Sequence, residues 1–310
     1  MSGDASWLSV YGFGAHIKST QKKLVISKNS VVEEYPLTEV KNLLIVGGHT
    51  LNSSTISHLL KNGAYISFFE PDGTPIGTIR PHGDRSDEIL RTMQQDLPRH
   101  RFATLIARAA IRSRLLAIER LQESRGIQLF YEGESDFLHK SFDELAYLIK
   151  LDEIRRLSRL NTDMYYEIIS RDLPKEFGFR RRTIRPQCDP VNAMLSFGYA
   201  MLSGNCSVSI IGARLDPDIG LLNEGTYGLV YDLIETFKAE MIDAPICKIA
   251  SESLTSNDFE LTTDRCILSD ELIKSLTTVF RVTIDNAKIN QQVGNLYRAL
   301  IEHEEFTVMY

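Results

Sequence analysis

The segment Phe177–Asp243 carries most of the sequence evidence on fold and function, because it holds four distinctive blocks in a fixed order. They read FGFRRRTIRP at 177–186, DPVNAMLSFGY at 189–199, GARLDPDIGLLNEG at 212–225 and YDLIETFK at 231–238. Asp189 followed by Pro190 is typical of a helix start, since aspartate caps free backbone N–H groups and proline fits the first turn. The third block is rich in turn residues and predicts a loop. Apolar residues at helical spacing in the fourth block predict a helix.

The first block is the most basic part of the chain. It places four arginines within six residues, beside two phenylalanines: Arg180, Arg181, Arg182 and Arg185, with Phe177 and Phe179. Arginine forks bind phosphate oxygens through paired hydrogen bonds, and aromatic rings stack on unpaired bases, so the block predicts a nucleic-acid contact. The alternative interpretation is a solvated charged loop. The net charge of −6 argues against a generally basic, histone-like protein but permits a local basic surface.

The N-terminal part of the chain predicts a β domain. Six short β-rich runs are separated by turn residues, at 7–10, 24–26, 31–35, 43–46, 65–69 and 76–79. The pattern changes around 81–84, and from Ser86 onward apolar residues recur at spacings that predict helices. The predicted fold class is therefore α+β, with a β-rich domain at 1–84 followed by a larger all-α domain at 85–310.

Composition sets further bounds on the kind of protein. The chain has 310 residues, 43% hydrophobic and 25% charged, as in ordinary globular proteins. It has no uninterrupted apolar run of about eighteen residues and no signal peptide, so we expect a cytoplasmic protein without a membrane span. The four cysteines form no CxxC pair, which argues against a zinc cluster.

Taken in order, the four blocks resemble the CRISPR-associated spacer integrase and endonuclease family called Cas-one. The family motifs read roughly DPVNA, GLDPxxGFLH and DLMExFR, and the resemblance extends over nearly the whole chain. It implies an N-terminal β domain through which relatives form homodimers, followed by a helical domain that acts on DNA. It also implies a Mg²⁺ or Mn²⁺ ion and a small partner protein called Cas-two.

The chain departs from this family at two of three metal-binding positions. In relatives the ion is held by the glutamate of an ExxAAxxYF helix, the histidine that ends GLDPxxGFLH and the acidic fourth residue of DLME. These positions correspond here to Ser158, Asn223 and Glu235, and the first is anchored only by the pair Tyr165-Tyr166. A serine hydroxyl and an asparagine amide are neutral, and hard divalent cations prefer charged oxygens. The sequence therefore predicts a degenerate metal site reduced to Glu235.

Nearby charged residues leave alternatives open. Asp232, three residues before Glu235, could point at the same place on a continuous helix, and Glu224 follows Asn223 directly. By contrast, Arg155 and Arg159 bring positive charge towards Ser158, which favours a phosphate over a metal.

Three functions follow from these possibilities. The first is a DNA-binding family member with lost or impaired nuclease and integrase activity. The second is an active Mg²⁺- or Mn²⁺-dependent endonuclease and integrase that inserts spacers into a CRISPR array, with a site rearranged around Glu235 and Asp232. The third is a partner-binding scaffold without a DNA role.

Overall fold

The computed structural model describes residues 7–310, and its N-terminal part contains two four-stranded sheets. The strands are β1 Trp7–Tyr11, β2 His16–Ser19, β3 Lys23–Lys28, β4 Val31–Pro36, β5 Asn42–Val46, β6 Thr50–Leu51, β7 Tyr65–Phe69 and β8 Pro75–Ile79, with helix α1 Ser53–Lys61 before β7. The first sheet has the strand order β1-β5-β7-β8 and the second β4-β3-β2-β6.

The first sheet is buried on both faces at its central strand, β5. Strand β5 pairs in parallel with β1 and β7, and all five of its residues are buried. Leu43 and Ile45 pack into the core of the β part, while Leu44 and Val46 pack against Val208 of the helical part. This alternation is the period-two pattern of a strand covered on each side, so β5 joins the two parts of the fold.

The rest of the described residues contains nine α-helices and a short hairpin. They are α2 Ser86–Gln95, α3 Arg99–Arg125, α4 Glu134–Glu144, α5 Leu151–Ser170, α6 Pro190–Gly212, α7 Gly228–Ile234, α8 Ala244–Glu252, α9 Asp270–Thr283 and α10 Asn286–Ile301, with the hairpin β9 Phe259–Leu261 and β10 Cys266–Leu268. The predicted α+β fold class is confirmed. The hairpin was missed because each of its strands has only three residues.

Helix α6 is the central element of the helical part. Asp189 caps it, accepting a hydrogen bond from the Asn192 N–H at 2.8 Å. By length and composition, α6 is the one helix within residues 7–310 that could cross a membrane. Half of that stretch is buried inside the fold, and Val208 packs on the first sheet. This packing identifies α6 as a core helix.

Glycines on α6 let the β part approach very closely. A Cβ at Gly204 would lie 1.7 Å from the backbone oxygen of Asp72, in the turn between β7 and β8, and a Cβ at Gly212 would lie 2.8 Å from Leu44. Near the same end of α6, the Asn42 amide donates to the Gly212 carbonyl at 2.8 Å. The contact at Gly204 brings the β7–β8 turn to the cavity where the candidate site lies.

Candidate nucleic-acid site

A cavity of about 980 Å³ lies between α5, α6, α7, the arginine-rich loop and the β7–β8 turn. The structure brings several of the predicted site residues to its wall, namely Asn223, Glu235, Arg182 and Arg185. It does not bring Ser158 there, because the α5 residues that line the cavity are Thr162 and Tyr166, one and two turns further on.

Glu235 is held by two cations of the chain. Its Oε2 accepts a hydrogen bond from the Arg114 guanidinium of α3 at 2.6 Å, and its Oε1 forms an ion pair with Lys238. The Arg114 side chain is only 5% exposed. Burial opposes ionisation of Glu235, but Lys238 and Arg114 outweigh it and lower the pKa of the carboxyl group. Glu235 is therefore an ionised group whose charge is already compensated.

Asp232 does not replace a lost metal ligand, so that interpretation is corrected. Its carboxylate accepts hydrogen bonds from the backbone N–H groups of Leu221, Leu222 and Asn223 at 2.5, 3.0 and 2.9 Å, and from the Asn223 side-chain amide at 2.8 Å. Burial raises the pKa of Asp232 to about 6, although these donors act in the opposite direction. Both oxygens are occupied in holding the loop, because Asp232 points into the loop and not into the cavity.

Glu224 and Arg155 also have roles other than those expected. The Arg155 guanidinium donates to the Leu222 carbonyl at 2.7 Å and to Glu224 at 2.6 Å. Glu224 is exposed and also lies 3.5 Å from Arg99. Arg155 therefore fastens the loop to α5, and Glu224 lies outside the cavity. Arg159 remains an exposed residue of α5.

The arginine-rich loop keeps only part of its predicted DNA surface. Phe177 and Phe179 are buried at 8% and 6% exposure, so they cannot stack on bases as expected. Arg182 is half-buried and donates to the Asn192 side-chain oxygen at 3.0 Å and to Ser196 at 2.9 Å, which ties the loop to α6. The exposed arginines of the loop are Arg180, Arg181 and Arg185.

A buried cluster of tyrosines and an aspartate beside Glu235 was missed by sequence reasoning. The Tyr199 hydroxyl donates to Asp243 and lies 2.5 Å from the Tyr166 hydroxyl. Burial raises the pKa of Asp243 to about 6. The Tyr199 ring centroid lies 5.0 Å from the Lys238 ammonium and 5.3 Å from the Arg182 guanidinium carbon. Tyr199 therefore lies beside two of the cations that line the cavity, Lys238 and Arg182. The contact between Tyr199 and Asp243 could not be predicted from the sequence, because the π-helical turn Ala239–Asp243 sets the position of Asp243.

These residues do not fit a divalent metal ion. In the part of the chain that the structure describes, no three His, Cys, Asp or Glu side chains come together as a ligand set. Glu235 shares the cavity with Lys238 and with the neutral groups Asn223 and Thr162. Mg²⁺ and Mn²⁺ are held chiefly by charged oxygens, so two cations on the one remaining carboxylate oppose their binding.

Comparison with known proteins gives the family. The family model described as CRISPR associated protein Cas1 matches residues 8–281. The protein named Putative CRISPR-associated endonuclease Cas1 2, from Methanospirillum hungatei JF-1, is 40% identical over 299 residues, covering 96% of this chain and 99% of the relative.

Two solved structures share the fold at low sequence identity. A casposase bound to integration product aligns with a TM-score of 0.83 and 19% identity, covering 98% of this chain and 99% of the other. A partial Cas6-RT-Cas1–Cas2 complex gives a TM-score of 0.77 and 18% identity, covering 97% and 99%. The family model and the 40% identical relative both extend over most of the sequence, and this chain therefore belongs to the CRISPR-associated Cas1 family.

Proposed function

We propose that this protein is a DNA-binding member of the Cas1 family, acts in CRISPR adaptation and has lost or impaired metal-dependent nuclease and integrase activity. The observation that carries the proposal is the pairing of Glu235 with Arg114 and Lys238. The family of endonucleases implies metal dependence, yet a divalent ion here would have to compete with two cations for one carboxylate. The loop and helices around the cavity remain in place, which supports retained DNA binding.

The relatives support DNA and a Cas2 protein as partners. One structural neighbour is bound to an integration product, and the other belongs to a complex with Cas2. Both have the fold of this chain. We propose that this protein binds double-stranded or branched DNA and forms a homodimer through its β part, with a Cas2 protein as a further partner.

The first test measures metal-dependent chemistry on DNA. With Mg²⁺ or Mn²⁺ we expect no strand cleavage or strand joining above the level seen with EDTA, because the site lacks the carboxylate and the imidazole that complete the family's ligand set. Glu235→Ala should give the same background. Turnover that needs the metal and disappears in Glu235→Ala would instead support the second candidate, an active endonuclease and integrase with a rearranged site.

A second experiment puts back the family's two metal ligands at positions 158 and 223. Ser158 lies one turn before the cavity-lining Thr162 on α5, so Ser158→Glu combined with Asn223→His tests whether a longer side chain brings a carboxylate to the cavity beside an imidazole. Mn²⁺ should then raise the melting temperature of this variant and leave that of the unaltered protein unchanged. Leu160→Glu with Asn223→His is the matched control, because Leu160 is exposed and points away from Ser158 on α5. Equal responses of the two variants would contradict the assignment of position 158.

A second prediction concerns the exposed arginines of the loop. Replacing Arg180, Arg181 and Arg185 together with alanine should flatten the dependence of DNA affinity on salt. The slope should fall by about 0.9 log unit per log unit of salt for each phosphate that these arginines neutralise in the unaltered protein. Binding is measured by fluorescence anisotropy across a salt series.

A control variant removes the same charge elsewhere. Lys248, Lys274 and Arg281 are exposed on α8 and α9, and their replacement by alanine should leave the slope nearly unchanged. If the two triple variants behave alike, the arginine-rich loop is only a solvated surface.

A further inference from the structure

Lys238 takes part in the charge cluster of the cavity through a flexible four-carbon side chain. Within residues 7–310, Glu235 is the one hydrogen-bond acceptor that its ammonium group reaches. A lysine ammonium has three donors, so two remain for another partner. The side chain lines the cavity and is 17% exposed. An anion that enters the cavity can therefore reach Lys238.

Glu235 does not depend on Lys238 alone for charge compensation. Arg114 donates to its other oxygen at 2.6 Å and is 5% exposed, so this contact stays in place when Lys238 turns away. If an anion replaced Glu235 as the partner of Lys238, one charge-assisted pair would replace another. Glu235 would still have Arg114 as its cation.

A second cation, Arg182, lies beside the Tyr199 ring, which Lys238 also approaches. Arg182 is held by Asn192 and Ser196 and lies 5.3 Å from the Tyr199 ring centroid, while Lys238 lies 5.0 Å from it. The hydrogen bond from Tyr199 to Asp243 fixes that ring. A guanidinium held by two side chains and an ammonium on a flexible side chain therefore flank one aromatic ring on the cavity wall.

We propose that Glu235 acts here as a counter-ion that masks Lys238, and that a DNA phosphodiester displaces it and is bound by Lys238 and Arg182 without a metal ion. The inference rests on the proposed DNA-binding function. It reverses the role of Glu235. A carboxylate that holds a metal ion helps to bind the phosphate through that ion, whereas a carboxylate that masks Lys238 competes with the phosphate.

The test is a double-mutant cycle on DNA affinity. Dissociation constants for a forked DNA duplex are measured in EDTA at one low salt concentration for the unaltered protein, Glu235→Gln, Lys238→Gln and the double variant. We expect Glu235→Gln to tighten binding about tenfold, in line with the strength of a hydrogen bond to a charged group. Lys238→Gln should weaken binding by a similar factor, and Glu235→Gln should have no effect in the Lys238→Gln background.

This last result separates masking from a general field effect. Removing any anion from the cavity would favour DNA, so tightening that persists without Lys238 overturns the inference, as does unchanged or weaker binding by Glu235→Gln. Lys238→Gln keeps the pair of Arg114 with Glu235, so it tests the phosphate contact even if Glu235→Gln does not fold, and unchanged affinity overturns the inference. If the unaltered protein binds no DNA, the proposed function itself fails. If it binds DNA but the cycle shows no coupling, only the masking role fails.

Discussion

Replacing Arg114 with methionine is expected to lower the free energy of unfolding by about 3 kcal/mol, at the lower end of the range for breaking a buried ion pair. Arg114 is 5% exposed and lies 2.6 Å from Glu235, which is 23% exposed. The substitution leaves Glu235 in a mostly buried position with one cation, Lys238, and this remaining partner keeps the effect near the lower limit. Urea unfolding of the purified protein gives the value.

Two controls show whether the effect belongs to the pair. Arg112→Met changes an exposed arginine on the same helix and should alter stability by no more than about 0.5 kcal/mol. Arg114→Met combined with Glu235→Leu and Lys238→Met should recover most of the lost stability, because apolar side chains can replace a complete buried charge cluster without loss. If Arg114→Met is as mild as Arg112→Met, the pair does not stabilise the site.

Gly204→Ala should destabilise the protein by about 3 kcal/mol, although alanine normally strengthens a helix. The new Cβ would lie 1.7 Å from the Asp72 carbonyl oxygen, and backbone atoms cannot turn aside as a flexible side chain can. The β7–β8 turn must move, so the wall formed by Asp72, Gly73 and Thr74 should shift and DNA affinity should fall. Thermal unfolding and DNA binding are measured on the same preparation.

Gly294→Ala is the matched control inside another helix. A Cβ at Gly294 of α10 would meet only the end of Arg298, at 3.7 Å, so we expect unchanged or up to about 1 kcal/mol greater stability. A stabilising effect at both positions would show that the turn is not pressed against α6.

The same glycines explain where sequence reasoning on the fold stopped short. Alternating and helical patterns identified the β-rich and helical parts, and the pair Asp189-Pro190 predicted the start of α6. The helix continues to Gly212, although glycine weakens an isolated helix. Gly204 and Gly212 are explained by the close contact of α6 with the β part, where a larger side chain would not fit. Likewise, the fourth block at 231–238 predicted one uninterrupted helix. It ends at Ile234, and a π-helical turn follows.

The candidate site was predictable only where a local motif reports it. The motif positions Asn223 and Glu235 do meet in one cavity. Arg114 is 121 residues away from its partner Glu235, and no spacing rule connects them. Asp232 and Glu235 look alike in sequence, but their roles differ because one is enclosed by backbone N–H groups and the other faces two cations.

The hydrogen bonds to Asp232 have a thermodynamic consequence for any ligand at Asn223. Three backbone N–H groups converge on one buried carboxylate, and Arg155 holds the Leu222 carbonyl from the opposite side. The loop is thus preorganised, and a ligand that touches it does not have to order it first. Changing the side chain at position 223 alters the chemistry offered to the ligand and removes the amide bond from Asn223 to Asp232, while the three backbone N–H bonds continue to order the loop.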